Sequence, residues 1–311
     1  VQRPPDYQKF LRSFPDLFLE NEPLASHVRF RVGGRADLFC RPDNAESLGA
    51  VVRMAREEGL PLFVMGDGTN LLVQDGGMRG LVLRLGAGFK SIRTEGNLLI
   101  AGCAAKLPRV CLHAAVKGLA GLEGLAGIPG TVGGAIAMNA GTREAASCVH
   151  LESLTVCEKD GRIRTLNSRD FSFAYRSFRW KDDTPAEDRI LLEARWQLMP
   201  GNARELRQKI RNALHHRKAT QPVAAASAGC IFKNPDSTLS AGHLIDAAGF
   251  KGMQQGDAMV SPRHANFIVN QGKARASDIL SLMDWIQKEI LENCGILLER
   301  EVRIVGEASF C

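Results

Sequence analysis

The chain has 311 residues, 45% of them hydrophobic and 24% charged, with 40 lysines and arginines against 34 acids for a net charge of +6. Such a chain holds two or three ordinary globular domains; no run of about 18 apolar residues reads as a membrane-spanning helix, and the opening "VQRPPDYQKFLRSF" has no apolar signal-peptide core, so the cytoplasm is the expected compartment. A basic balance suits an anionic partner, but the charges form no like-signed block and only 6% of residues are aromatic, so phosphates on small molecules account for it better than nucleic acid does.

In chain order, "ADLFCRP" to Leu85 alternates strand, helix and strand. "DNAESLGAVVRMAREEG" offers Asp43 or Asn44 as a helix cap, sets Leu48, Val51, Val52 and Ala55 on one face, and stops at Gly59. "LPLFVMG", "GLVLRL" and "NLLIAG" read as strands, and "KLPRVCLHAAVKG" as a helix with Pro108 in its first turn. After a glycine-rich tract from Gly118 to Gly141, "SLTVCEKDGRIRTL" predicts a hairpin turning at Asp160-Gly161, and "RILLEARWQLMPG" a strand. "NARELRQKIRNALHHRKA" is a basic amphipathic helix with a domain boundary near its start. The last third mixes short strands ("CIFKNP", "DAMVS", "NFIVN") with the helices "LSAGHLIDAAG" and "ASDILSLMDWIQKEILENCG", and "ILLEREVRIVG" closes as a strand. No repeat and no low-complexity segment interrupts this α+β pattern.

The eight cysteines (40, 103, 111, 148, 157, 230, 294 and 311) form no C-x-x-C pair and mostly sit among apolar neighbours, so reduced core thiols are expected and no metal site. His215 and His216, adjacent on one helix, point in different directions and make no joint site; His264 is likewise left without a role.

Two loops carry the first chemical signal. In "GDGTNLLV", after a strand, Gly66 and Gly68 permit tight turns that let main-chain N–H groups face an anion, and Thr69 and Asn70 add side-chain hydrogen bonds. In "GLAGIPGTVGGAIAMNAG", residues 124–141, Gly127, Gly130, Gly133, Gly134 and Gly141 leave bare backbone against which a flat cofactor or a pyrophosphate could lie. The spacing is not that of a Rossmann G-x-G-x-x-G. Each loop alone is equally an ordinary packed turn; two in one chain favour a dinucleotide.

Arg176 in "FAYRSF", Cys230 in "SAGCIFKNP" and Glu301 in "LEREVRIVG" could together bind an acid, protonate a carbon and polarise a carboxylate. Taken singly each reads as structural, and sequence alone does not bring them together.

Taken together, "HVRFRVGGRAD", "GDGTNLLV", "GLEGLAGIPGTVGGAIAMNAG", "FAYRSF", "AGCIFKNP" and "LEREVRIVG" resemble, in order and spacing, the UDP-N-acetylenolpyruvoylglucosamine reductase (MurB) family over nearly the whole chain. The resemblance implies an FAD-binding domain in two subdomains, of the vanillyl-alcohol-oxidase (PCMH) type, at 1–86 and 87–201, and a C-terminal α/β substrate-binding domain at 202–299, with the closing strand near 300–311 able to return to the first subdomain. It implies non-covalent FAD reduced by NADPH, and then reduction of UDP-N-acetylglucosamine enolpyruvate to UDP-N-acetylmuramate, a peptidoglycan precursor, by a monomeric enzyme. The short "RWKDDTPAEDR" after Arg176 resembles the shorter form of the family, without the extra loop that carries a substrate-binding tyrosine.

By motif, the resemblance makes Arg176 and Glu301 the pair that stabilises the developing enolate and Cys230 the proton donor, where family members often carry serine. A thiol, with an ordinary pKa of about 8.5, is the stronger acid and still holds its proton at neutral pH. Gly66, Asp67, Gly68, Thr69, Asn70, Gly127, Ile128, Pro129, Gly130, Thr131, Gly133 and Gly134 are implied to enclose FAD. Tyr175, Arg217, Asn234 and Arg303 are implied to hold substrate, with Lys218 an equally placed cation. Two other readings stay open: a flavin oxidase of similar fold, and a non-catalytic FAD- or nucleotide-binding protein.

Overall fold

A computed structural model describes residues 7–142, 145–236 and 238–309, and so does not extend to Cys311. The chain divides into two compact units: one of residues up to Glu20, Leu38–Gly66 and Gly80–His215, the other of Asn21–Asp37, Asp67–Arg79 and the chain from His216 onward.

In the first unit, helix α1 (Tyr7–Ser13) buries Phe10 edge-on against Phe18, ring centroids 5.6 Å apart. Helix α2 (Ala45–Glu57) starts where Asn44, extended, accepts a 2.8 Å hydrogen bond from Ser47 N, a cap worth about 1 kcal/mol. Asp43, the other candidate cap, instead accepts from Ala87 N. The face of Leu48, Val51, Val52 and Ala55 enters the core as its 3.6-residue spacing predicts. Strands within residues 18–83 form a four-stranded sheet in the order Phe18–Pro23, Arg35–Cys40, Met78–Leu83, Leu62–Val64, the last pair parallel. Helix α3 (Leu107–Val116), with proline in its first turn, buries Val110, Cys111 and Ala114.

The sheet that follows is antiparallel throughout: Ile163–Asn167, Leu151–Glu158, Arg189–Gln197, Leu98–Gly102, Ile92–Glu95. Its hairpin turns at Asp160-Gly161, where Gly161 takes φ +78° and Asp160 Oδ1 accepts from Arg162 N. Trp196 is fully buried, its indole N–H donating to Ser147 O at 2.8 Å. Within the glycine-rich tract lies a short helix, α4 (Val132–Ala137), capped by Thr131 Oγ1 on Gly134 N. Helix α5 (Ala203–Thr220) buries Leu206 and Ile210 in the core of this unit.

The second unit has its own core, from Phe30 and Leu72 to Val302. Helix α6 (Ala241–Ala247) is capped by Ser240, and helix α7 (Ala276–Cys294) packs Ile279, Leu282, Met283, Ile286 and Ile290 inward, ending on left-handed Gly295. Strands Gln254–Gln255, Ala258–Val260 and Ile268–Asn270 form an antiparallel sheet, and Arg303–Val305 pairs in parallel with Leu71–Val73.

Two expected strands are reduced. "CIFKNP" forms only the bridge Phe232–Arg300, and "ILLEREVRIVG" is regular only at Arg303–Val305. Pro235 has no N–H to continue a ladder, and a buried asparagine side chain occupies the pairing positions of Phe232.

Candidate active site

Within the first unit Gly66, at the end of its strand, meets the second glycine-rich loop. A Cβ on Gly66 would stand 2.5 Å from Thr131 Oγ1, so only glycine fits at the end of that strand. Around Thr131 the main chain sorts its donors: Val132 N bonds Ala105 O and Gly133 N bonds Cys103 O, each at 2.9 Å, and Gly134 N bonds Thr131 Oγ1 at 3.3 Å. Ile128 N bonds Leu125 O, and Pro129 has none to offer. The amides of Gly130 and Thr131 have no acceptor among the described residues, although Thr131 is buried. Adjacent unspent N–H groups beside bare glycine backbone suit the oxygens of a diphosphate, so these residues fit a dinucleotide such as FAD.

Tyr175 and Arg176 form the two-residue turn between Phe171–Ala174 and Ser177–Trp180. Arg176 sits at φ +53°, its Nη1 donates to Gly141 O at 3.1 Å, and its guanidinium carbon stands 5.1 Å from the centre of the exposed Tyr175 ring. The turn is tied down by Asn139, 5% exposed, whose Nδ2 donates to Ala174 O at 2.8 Å and whose Oδ1 accepts from Cys148 N. Sequence reasoning missed Asn139. An asparagine ending a glycine-rich tract is a weak signal, and its partner lies 35 residues away.

In the second unit Gly68 takes φ +60°, and a Cβ there would strike His27 O at 2.6 Å; Gly68 O also accepts from Arg29 N, so packing as well as any ligand demands this glycine. Asn70 Nδ2 donates to Glu301 O at 3.0 Å and Asn70 O accepts from Arg303 N at 3.0 Å. Glu301 N donates to Ile231 O at 2.7 Å, which sets Glu301 beside the residue following Cys230. Cys230 and Glu301 are half-buried and Arg303 is exposed. Arg217 is held below the usual arginine range, chiefly by burial, with the nearby Arg29 charge acting in the same direction. The structure thus groups Asn70, Arg217, Cys230, Glu301 and Arg303 in one unit.

Asn234 has a structural task, its Oδ1 accepting from Ala241 N at the start of α6. His264 accepts from Asn266 N through Nδ1, and burial lowers its pKa from the ordinary value, a structural use of a residue left without a role above. Among the described residues no group of His, Cys, Asp and Glu could hold a metal ion, and no helix is long and apolar enough to cross a membrane.

The first class this arrangement defines is a flavoprotein oxidoreductase: residues 36–167 match the family described as FAD binding domain, and residues 221–305 the C-terminal domain of UDP-N-acetylenolpyruvoylglucosamine reductase. Relatives bearing that enzyme's name include one from Heliobacterium modesticaldum, 40% identical over 96% of this chain and 93% of its own, and one from Pelobacter propionicus, 42% identical over 94% and 96%. The crystal structure of UDP-N-acetylenolpyruvylglucosamine reductase (MurB) from Thermus caldophilus superposes with a TM-score of 0.78 at 36% identity, covering 92% of this chain and 97% of that one. The chain belongs to the UDP-N-acetylenolpyruvoylglucosamine reductase (MurB) family. Its fold is α+β, with an N-terminal FAD-binding domain of the PCMH type and a C-terminal substrate-binding domain.

Proposed function

We propose that this protein uses NADPH to reduce UDP-N-acetylglucosamine enolpyruvate to UDP-N-acetylmuramate, for peptidoglycan precursor synthesis in the cytoplasm. FAD, when bound, supplies the hydride that reaches C3 of the enolpyruvyl group. The chain's own residues do the rest. The Cys230 thiol gives its proton to C2, and Arg176 balances the negative charge that develops on the carboxylate side, with Glu301 acting protonated or bridged by Arg176. Arg217 and Arg303 bind anionic oxygens of the substrate through their forked guanidinium groups, with Tyr175 and the Nδ2 of Asn234 as further contacts. The backbone at 66–70 and 127–134, foremost the amides of Gly130 and Thr131, holds FAD without a covalent link.

We assign 1–86 and 87–201 to the halves of the FAD-binding domain and 202–299 to the substrate-binding domain; the FAD-binding match at 36–167 falls within the first two of these spans. The observation that carries the reading is the 2.7 Å bond from Glu301 N to Ile231 O, which keeps the carboxylate-bearing segment beside the thiol.

The test is flavin absorbance under nitrogen. NADPH should bleach the bound flavin, and the enolpyruvyl substrate should restore its colour without oxygen. Restoration by oxygen but not by the UDP-sugar would make the protein an oxidase; binding of the sugar with no restoration would make it a binding protein.

A further inference from the structure

Cys230 lies on a segment that is neither helix nor strand, so its backbone is held by bonds from outside any regular element of its own. Two buried asparagines at the ends of the strand following His264 do this. Asn270 N donates to Ala226 O at 2.9 Å, and the Asn270 side chain donates to Phe30 O while accepting from Gly272 N and Ala274 N. Asn266, 3% exposed, does more: its Oδ1 accepts from Phe232 N at 2.9 Å, its Nδ2 donates to Phe232 O at 2.8 Å, and its own carbonyl accepts from Ile231 N at 2.9 Å. One residue therefore supplies both bonds that a neighbouring strand would offer Phe232, plus the bond to Ile231.

The opposite edge of the same segment is held by the residues around Glu301. Ile231 O accepts from Glu301 N, and Lys233 N donates to Glu299 O at 2.8 Å. Just before Cys230 the chain turns through Gly229 at φ +87°. Cys230 thus stands between a left-handed glycine and a dipeptide whose amides and carbonyls are all spoken for: Ile231 N and Phe232 N and O by Asn266, Ile231 O by Glu301. A side chain on backbone pinned in this way has its starting direction set by those backbone bonds.

We propose that Asn266 is a positioning residue for proton transfer, acting through Cys230: its side-chain amide replaces a strand partner and sets the thiol in register with Glu301. This rests on the reading of Cys230 as the proton donor. Misplacement of a reacting group by about 1 Å can cost on the order of a hundredfold, so loosening the pin should slow the step that uses the thiol and spare flavin reduction by NADPH, which does not.

The experiment compares wild type, Asn266→Asp, Cys230→Ala and the double variant as flavin-loaded proteins, following NADPH reduction and substrate-driven reoxidation separately. Asn266→Asp keeps the acceptor for Phe232 N and loses the donor to Phe232 O. Expected are reduction within about twofold of wild type and reoxidation slowed tenfold or more, with Asn266→Asp adding less than about twofold once Cys230 is alanine, because both act on one event. Losses that multiply in the double variant, or reoxidation unchanged in Asn266→Asp, would overturn the proposal. Failure of Cys230→Ala to slow reoxidation would instead remove the donor assignment beneath it.

Iodoacetamide alkylation of Cys230 in the Cys294→Ser background, read by peptide mass, covers the case in which Asn266→Asp turns over poorly for want of stability. A rate altered severalfold in still-folded protein supports the pin; an unaltered rate contradicts it. Asn266→Ser, smaller and without a second functional group, should behave as Asp does in both readouts.

Discussion

At the scale of single residues, burial sorts the thiols. Cys40 and Cys103 are pushed above the range of any accessible thiol by desolvation, Cys111 and Cys148 up to about 12, and Cys157 up to about 11. A thiol held in that way carries no thiolate at neutral pH and does not react. Cys294 is exposed and Cys230 half-buried. Among the cysteines of the described residues, maleimide labelling of the native protein at pH 7 should therefore modify Cys294 first and Cys230 next, leaving the five buried ones unmodified until denaturant is added; early labelling of Cys103 or Cys148 would contradict the packing around the glycine-rich tract. Of the two buried asparagines that set the candidate site, neither announces itself in sequence. Asn139 and Asn266 act on backbone 35 and 34 residues away, and no local pattern encodes such a contact.

At the scale of elements, α7 begins after Arg275, which has no acceptor to offer the first amides; Asp75 supplies it from 200 residues earlier, Oδ1 to Ala276 N at 2.9 Å and Oδ2 to Ser277 N at 3.0 Å. A carboxylate there also opposes the positive end of the helix dipole. Asp75→Ala should lower stability by about 1–2 kcal/mol, seen as a lower denaturant midpoint, and an unchanged midpoint would deny the cap. The segment 182–189 hangs on a different device. Arg189, its side chain only 5% exposed, donates to both oxygens of Asp182 and to Glu158, and its guanidinium carbon stands 5.0 Å from the Trp180 ring. The bond from Arg189 holds the Asp182 carboxyl well below its ordinary value. A depressed folded-state pKa gives stability that is present above the unfolded value, about 3.9, and is lost as pH falls through the folded one. Asp182→Asn should thus leave an acid limb of the stability curve shallower than wild type below about pH 4. An equal loss of stability between pH 5 and pH 3 in wild type and Asp182→Asn, read from urea midpoints, would contradict this.

Periodic elements were the legible ones. The apolar face of α2, the proline in α3 and the Asp160-Gly161 hairpin all follow from local spacing. "CIFKNP" was not legible as it folds: its β-rich composition suggested a strand, yet Pro235 and the side chain of Asn266 leave it a bridge.

At the scale of the whole molecule, the division into compact units does not follow chain order: residues 21–37 and 67–79 belong with the C-terminal part. A chain read from end to end suggests successive domains, and the bonds that gather Asn70 with Glu301 and Arg303 span 231 residues, beyond any sequence pattern. The site was legible only as motifs, whose types and order carried the family resemblance; the fold and the family stand on the matches over most of the chain. Cys230 is the proposed source of the proton on which the reaction depends. Single-turnover reoxidation of NADPH-reduced protein by UDP-N-acetylglucosamine enolpyruvate, under nitrogen, tests it in three proteins. Wild type and Cys230→Ser should reoxidise readily, serine being a competent donor in related enzymes by resemblance, while Cys230→Ala should be slower by about 10²–10⁴-fold. Reoxidation of Cys230→Ala at the wild-type rate would contradict the claim and leave the thiol a bystander beside Arg217.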